Sequence, residues 1–162
     1  MGVPQTRHRV FFIGVRNDID FDFEELNMTF NYEPVKYCDI EMGEHKEKKG
    51  VIAEVSKFAK YGEGDLRNAA QRHIGRIAYF GEAVLWKDRV CPTIKASGGY
   101  IRVENKGYII NEEEIVNAQT FPQDYDFLTQ NKKYICGMSV PPVMIKRIAT
   151  RLIGSGIFGR ML

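Results

Sequence analysis

Two arginines, Arg7 and Arg9, stand one residue apart just before the apolar run Val10–Val15. In an extended strand that spacing puts both guanidinium groups on one face. There they would supply fixed positive charge and planar donors to a single pocket. A basic strand start is the plain alternative. Further along, Lys95 and Ser97 stand before the pair Gly98-Gly99, offering a charge and a hydroxyl to a phosphate beside backbone that a ligand can approach closely. Arg72 and Arg76, with Asn68, recur every four residues on one side of a helical pattern. Such a stripe can track phosphates, and a merely solvated face explains it equally well. Ser139 precedes Pro141-Pro142, the pattern of a helix start whose hydroxyl and open amides favour a carboxylate. Cys38, Cys91 and Cys136 are far apart and odd in number, and His8, His45 and His73 show no ligand spacing with them. Neither a disulfide framework nor a metal site is expected.

The 162 residues are 44% hydrophobic and 27% charged, a composition of globular domains rather than of disordered chains. No run reaches the roughly 20 apolar residues of a membrane span, and Met1–Arg9 lacks an apolar signal core, so a cytoplasmic location is expected. A net charge of +2 neither demands nor excludes nucleic acid, so a nucleic-acid footprint has to be local.

Several elements must position these side chains. Residues 8–16 read as a strand apolar on both faces, and a short strand is expected at Pro34–Asp39. Met42–Gly50 carries mixed charge and reads as a solvated loop. Leu66, Ala70, Ile74 and Ile77 predict a helix over Asp65–Ala78. Strands are expected at Ala83–Lys87, Val90–Lys95, Tyr100–Glu104 and Tyr108–Ile110, with turns at Gly98-Gly99 and Asn105-Lys106-Gly107. Asn111 with Glu114 forms a capping-box pattern behind three glutamates, predicting a helix to about Gln119 that Phe121-Pro122 stops. Val140, Met144, Ile148 and Leu152 predict one apolar face of a final helix.

Four blocks, in order along the chain, resemble motifs of the DNA cytosine-5 methyltransferases. Gly2-Val3-Pro4-Gln5-Thr6-Arg7-His8-Arg9 is similar to their Pro-Gln-x-Arg-x-Arg motif. Cys91–Tyr100, with Pro92-Thr93-Ile94 running into glycines, resembles their target-recognition segment. Ile110–Tyr125 resembles the helix and Phe-Pro motif that organises that region, matching at Glu114, Gln119, Phe121, Pro122 and Asp124. Gly137-Met138-Ser139-Val140-Pro141-Pro142 resembles Gly-Asn-Ser-Val-Pro-Pro, with Met138 where asparagine is usual.

The resemblance implies an α+β fold. Its β-rich target-recognition region spans residues 17–136, flanked by a strand (1–16) and a helix (137–162) belonging to an α/β, Rossmann-like methyltransferase domain. It implies that Arg9 contacts the carbonyl oxygen of a flipped cytosine, supported by Arg7 and Gln5, because the base must leave the stack to react. It further implies that Thr93, Lys95, Ser97, Gly98 and Gly99, with Arg72 and Arg76, face double-stranded DNA. Ser139 and Val140 would line the edge of an S-adenosylmethionine pocket. The family's cofactor loop, Pro-Cys-Gln nucleophile and Glu-Asn-Val segment are not found in these residues, and Cys91-Pro92 has the wrong order to replace the nucleophile. The expectation is a fragment or split subunit of a restriction-modification enzyme, inactive until joined to a catalytic half. A nonenzymatic DNA-binding module or inactive remnant is the alternative, motivated by Met138 and by Glu113 and Asn117 at positions usually occupied by arginine. On its own the chain is expected to cover the apolar surfaces of Val10–Val15 and Val140–Ile153 by self-association or nonnative packing. Light scattering that finds a monomer with little exposed apolar surface refutes this.

Overall fold

A computed structural model describes residues 1–78, 80–103 and 107–157. Its centre is a four-stranded mixed sheet of short strands: β1 (Lys46–Glu47), β2 (Ala83–Leu85), β3 (Tyr100–Val103) and β4 (Gly107–Ile109), in the order β1-β4-β3-β2. β2 runs parallel to β3, with Val84 opposite Ile101, whereas β3–β4 and β4–β1 are antiparallel. The described residues also form five helices: α1 (Val51–Ser56), α2 (Arg67–Ile74), α3 (Glu112–Ala118) and α4 (Lys132–Met138) about the sheet, and α5 (Pro142–Gly154) in a separate core.

Successive strand residues point to opposite sides of a sheet, and here both sides are covered. Leu85 and Tyr100 pack on one face with Ile115, Val116 and Cys136 from α3 and α4. Val84, Ile101 and Val103 pack on the other with Val55 from α1, and Leu66, Ala69 and Ala70 from α2 and its cap. Burying one such aliphatic side chain contributes about 1.5–3 kcal/mol. The two faces therefore supply most of the cohesion of residues 37–138. A third, smaller core joins Val3 to Met144 and Ile148 of α5, with Phe11, Met28 and Phe30 packed around it.

The capping box predicted from Asn111 and Glu114 forms. Asn111 Oδ1 accepts from Glu114 N at 2.8 Å, and Glu114 Oε2 accepts from Asn111 N at 3.0 Å. Glu114 is fully buried, and its other oxygen is satisfied as well. Tyr37 Oη donates to it at 2.9 Å, Met42 N at 3.2 Å, and His45 Nε2 lies at 2.7 Å. A buried carboxylate without such partners would be very costly. Its partners are what fasten the mixed-charge loop, and that loop supplies β1 rather than being wholly solvated.

Other expectations are corrected. Residues 8–16 are extended without pairing to any described strand, and Val10 and Phe12 are 79% and 96% exposed. An apolar run holds as a strand only where a partner takes up its ladder. Pro34–Asp39 ends in a 3₁₀ turn at Tyr37–Asp39 instead of a strand. Val90–Lys95 keeps only an isolated bridge between Gln5 and Cys91, since Pro92 has no N–H to donate. Gly75 (φ 73°) closes α2 early in the left-handed conformation, leaving Ile77 70% exposed. The expected Ala83–Lys87 strand stops at Leu85, and Tyr108–Ile110 is displaced by one residue to Gly107–Ile109. Glu104, Asn105 and Lys106 lie outside the described residues. α4 had no counterpart among the expected elements. Ser139 closes α4 rather than starting α5, its hydroxyl donating back to Cys136 O at 3.1 Å. The apolar face expected for α5 is present, with Met144 and Ile148 buried.

Gly137 in α4 lies directly against the backbone of residues 95–96. A Cβ there would fall 2.0 Å from Ala96 N and 2.3 Å from Lys95 C. Backbone cannot yield as a flexible side chain can, so Gly137→Ala should destabilise the fold by about 3 kcal/mol or more. Gly154→Ala, where no atom of the described residues lies within 4 Å, should leave stability unchanged or slightly raised. Urea unfolding followed by circular dichroism compares the two.

Candidate nucleic-acid interface and its supporting node

Three of the four sequence blocks meet at one buried side chain, and the fourth joins them through its neighbour Gln119. Gln5 is 3% exposed, and its amide is fully engaged. Its Oε1 accepts from Ile94 N at 3.1 Å, and its Nε2 donates to Ala118 O at 2.8 Å and to Gln119 Oε1 at 2.5 Å. Gln119, also buried, passes the connection on, its Nε2 donating to Ser139 O at 3.0 Å and Ser139 Oγ at 2.9 Å. Around this chain of amides the first block zips onto the second. Thr6 N donates to Cys91 O at 2.8 Å, Cys91 N donates to Pro4 O at 3.2 Å, and the Thr93 hydroxyl donates to Thr6 O.

Arg7 and Arg9 occupy different environments. Arg7 is buried, donating from Nη1 to Ile94 O at 2.8 Å and from Nη2 to Gly137 O at 2.9 Å. Burial, and then the adjacent Arg9 charge, pull its pKa below the ordinary guanidinium value. Arg9 is exposed, and among the described residues its one hydrogen bond is to its neighbour, His8 O, at 2.7 Å. Even so, Gln5, Arg7 and Arg9 line a common cavity of about 580 Å³, whose walls include Phe11, Phe30 and Met144. Arg7 is a fixed clamp, and Arg9 is the open cation.

The Thr93–Gly99 segment is held from beneath and open above. Tyr100 of β3 donates its hydroxyl to Thr93 O at 3.0 Å and accepts from Lys95 N. Lys95, Ser97 and Gly98 are exposed, and Gly99 is half-buried. Gly98 has φ 95°, a conformation nearly reserved for glycine, and its carbonyl accepts from Lys133 Nζ. Arg72 is apart from this group. Its guanidinium is held by Phe58 O at 2.7 and 2.9 Å and by the Glu63 carboxylate, whose pKa that contact lowers. Arg76 lies beyond the end of α2, exposed.

The start of α5 offers few groups to a ligand. Pro141 and Pro142 have no N–H, Val143 N donates to Thr120 Oγ1 at 3.1 Å, and Met144 N to Pro141 O at 2.9 Å. The Ser139 hydroxyl already donates once and accepts once. What remains is a second lone pair on Ser139 and the Val140 amide, which fit the edge of a cofactor pocket but do not make a whole one. Burial pushes the Cys91 thiol up to about 12 and the Cys136 thiol up to about 11, so neither is a thiolate nucleophile at neutral pH. No cluster of three or more metal-ligating side chains, and no helix long and apolar enough to cross a membrane, occurs among the described residues.

Two positioning residues were not singled out for this role from sequence: Tyr100, under the recognition segment, and Gln119, which was matched only as part of a motif. Their signal is weak, since a tyrosine in a strand and a glutamine ending a helix are ordinary.

A buried amide hub thus joins these blocks beneath an open basic segment. The chain belongs to the C-5 cytosine-specific DNA methylase family, whose model matches residues 1–154. It is similar to the Type II methyltransferase M.BbvI of Brevibacillus brevis, at 26% identity over 164 residues, covering 87% of this chain and 42% of that protein. It thus spans about two fifths of that relative's length. No solved structure matches it.

Loss of the Arg7 clamp leaves the carbonyls of Ile94 and Gly137 without their charged donor. Arg7→Ala should therefore lower stability by roughly 2 kcal/mol or more, whereas Arg9→Ala should leave it within about 0.5 kcal/mol. Thermal melts of the two variants separate clamp from open cation.

Proposed function

We propose that this chain is the target-recognition and C-terminal portion of a DNA (cytosine-5-)-methyltransferase, acting with a catalytic half on a cytosine flipped from double-stranded DNA. The observation that carries this reading is the Gln5–Gln119–Ser139 hub, which leaves Arg9 open beside a cavity while fixing everything behind it. In this reading residues 1–16 and 137–162 return to the catalytic domain, and residues 17–136 form the recognition domain. The exposed Val10 and Phe12 are the surface the catalytic half would cover.

Arg9 meets the carbonyl oxygen of the extruded base and stabilises the negative charge that develops there. Arg7 adds positive potential and, with Gln5, holds the segment in place. Lys95 and Ser97 bind phosphates, Thr93 lies by the backbone near the flipped nucleotide, and Gly98-Gly99 let the protein backbone approach. Arg76 is free to add a phosphate contact, while Arg72 would first have to leave Glu63. S-adenosylmethionine, bound mainly by the catalytic half, supplies the methyl group. Ser139 and Val140 would touch its pocket through the lone pair and amide described above. Such an enzyme belongs in the cytoplasm, in a restriction-modification system.

A nonenzymatic DNA-binding module is the second reading, favoured by the sparse donor set at the start of α5. Mixing the chain with a cognate catalytic half and following transfer of labelled methyl groups tests the first reading. Arg9→Ala should reduce transfer on the order of a hundredfold, as for loss of one oxyanion donor, with little loss of DNA affinity. Loss of affinity alone supports the module, and no transfer by any folded pair defeats the enzyme reading.

A further inference from the structure

Along the outer side of α5 runs a groove of about 690 Å³ that the reading above does not use. Lys146, Arg147, Thr150 and Arg151 line it from the helix, and Asn27 and Tyr32 face them from the preceding segment. The helical residues are spaced at i and i+4, so Arg147 and Arg151 are neighbouring like charges that repel. None of the described residues that line the groove is acidic. Arg147 lies 3.6 Å over the Tyr32 ring, yet its buried Nη1 has no hydrogen-bond partner. A buried charged donor without an acceptor is costly in a native fold. The surroundings hold it in place all the same: a Cβ at Gly2 would fall 2.7 Å from that nitrogen. Arg151 lies 5.6 Å from the Phe30 ring and spends one donor on Thr29 O at 3.2 Å.

We infer that this groove binds a phosphate group, with Arg147 as the preset fork and Lys146 and Arg151 as flanking charges. Guanidinium donors match phosphate oxygens in a planar, bidentate fashion, and an ammonium adds a mobile point charge. The phosphate can come from the backbone of a nucleic acid or from a free phosphate, and both present the same oxygens. The inference does not require the methyltransferase reading, because the site is separate from Arg9 and from the Lys95–Gly99 segment.

The test is to titrate the isolated chain with inorganic phosphate and, separately, with a short blunt DNA duplex, following the side-chain Nε–H resonances of Arg147 and Arg151. Saturable shifts of both resonances are expected. Shifts with phosphate alone identify a free-phosphate site, and shifts only with duplex identify the backbone. Lys146→Gln, an exposed change that leaves the core intact, should weaken the binding about two- to fivefold. If duplex is the ligand, it should also lower the salt slope by about 0.9. Lys95→Gln serves as the separating control. It should reduce duplex affinity through the recognition segment without changing the response of Arg147. Failure of that control alone counts against the recognition reading and not against the groove. Unmoved resonances with both ligands, or binding unaltered by Lys146→Gln, overturn the inference.

Discussion

A buried primary amide has two donors and an acceptor to satisfy, and every one left open costs roughly 1–3 kcal/mol. Gln5 meets that demand with two separate parts of the chain: Ile94, and the adjacent residues Ala118 and Gln119. Gln119 extends the same requirement to Ser139. The arrangement is cooperative, since none of these segments can shift without breaking bonds that the others need. Segments separated by as many as 114 residues are thus held in one register. The sheet supplies the bulk of the cohesion, and the amide chain supplies the alignment.

Charge is distributed in two distinct ways over this frame. Arg7, Arg72 and Arg102 are tied up by the protein itself, through carbonyls, carboxylates or an aromatic ring. Their role within the fold is structural. Arg9, Lys95 and Lys146 are exposed, with no carboxylate among the described residues paired to them. Because the overall charge is close to neutral, attraction for an anion depends on where these open cations lie and not on their number.

Sequence patterns carried those parts of the structure that depend on neighbours along the chain. The capping box of α3 follows from Asn111 and Glu114 alone, and the apolar face of α5 from its spacing. Strands β2 and β3 are near where their β-branched and aromatic residues place them. Contacts remote in sequence were not legible. The period-2 pattern does bring Arg7 and Arg9 to one cavity, but it gave no sign that residues 8–16 would pair with no described strand or that Arg7 alone would be buried. α4 is short, carries a glycine in its last turn and shows little periodicity, so its presence depends on packing against Lys95 and Ala96. His45 in a charged run gave no hint that it would meet a buried carboxylate. The identities of Gln5, Arg9 and Thr93 as candidates came from their motifs, whereas the division of labour between Arg7 and Arg9 came only from burial.

Beyond the buried Cys91 and Ile94 side chains and the Thr93 hydroxyl, the stretch 91–99 is secured through main-chain atoms: Cys91 N and O, Ile94 N and O, Lys95 N, and the Ala96 backbone against Gly137. Main-chain atoms are the same whatever side chain follows. Residues 95 and 97 can therefore be exchanged like bits in a tool holder, with the grip unaltered, provided position 137 stays without a side chain and position 98 can still turn left-handed. A fold built this way tolerates divergence at its outer loop far better than at the small residues that seat it.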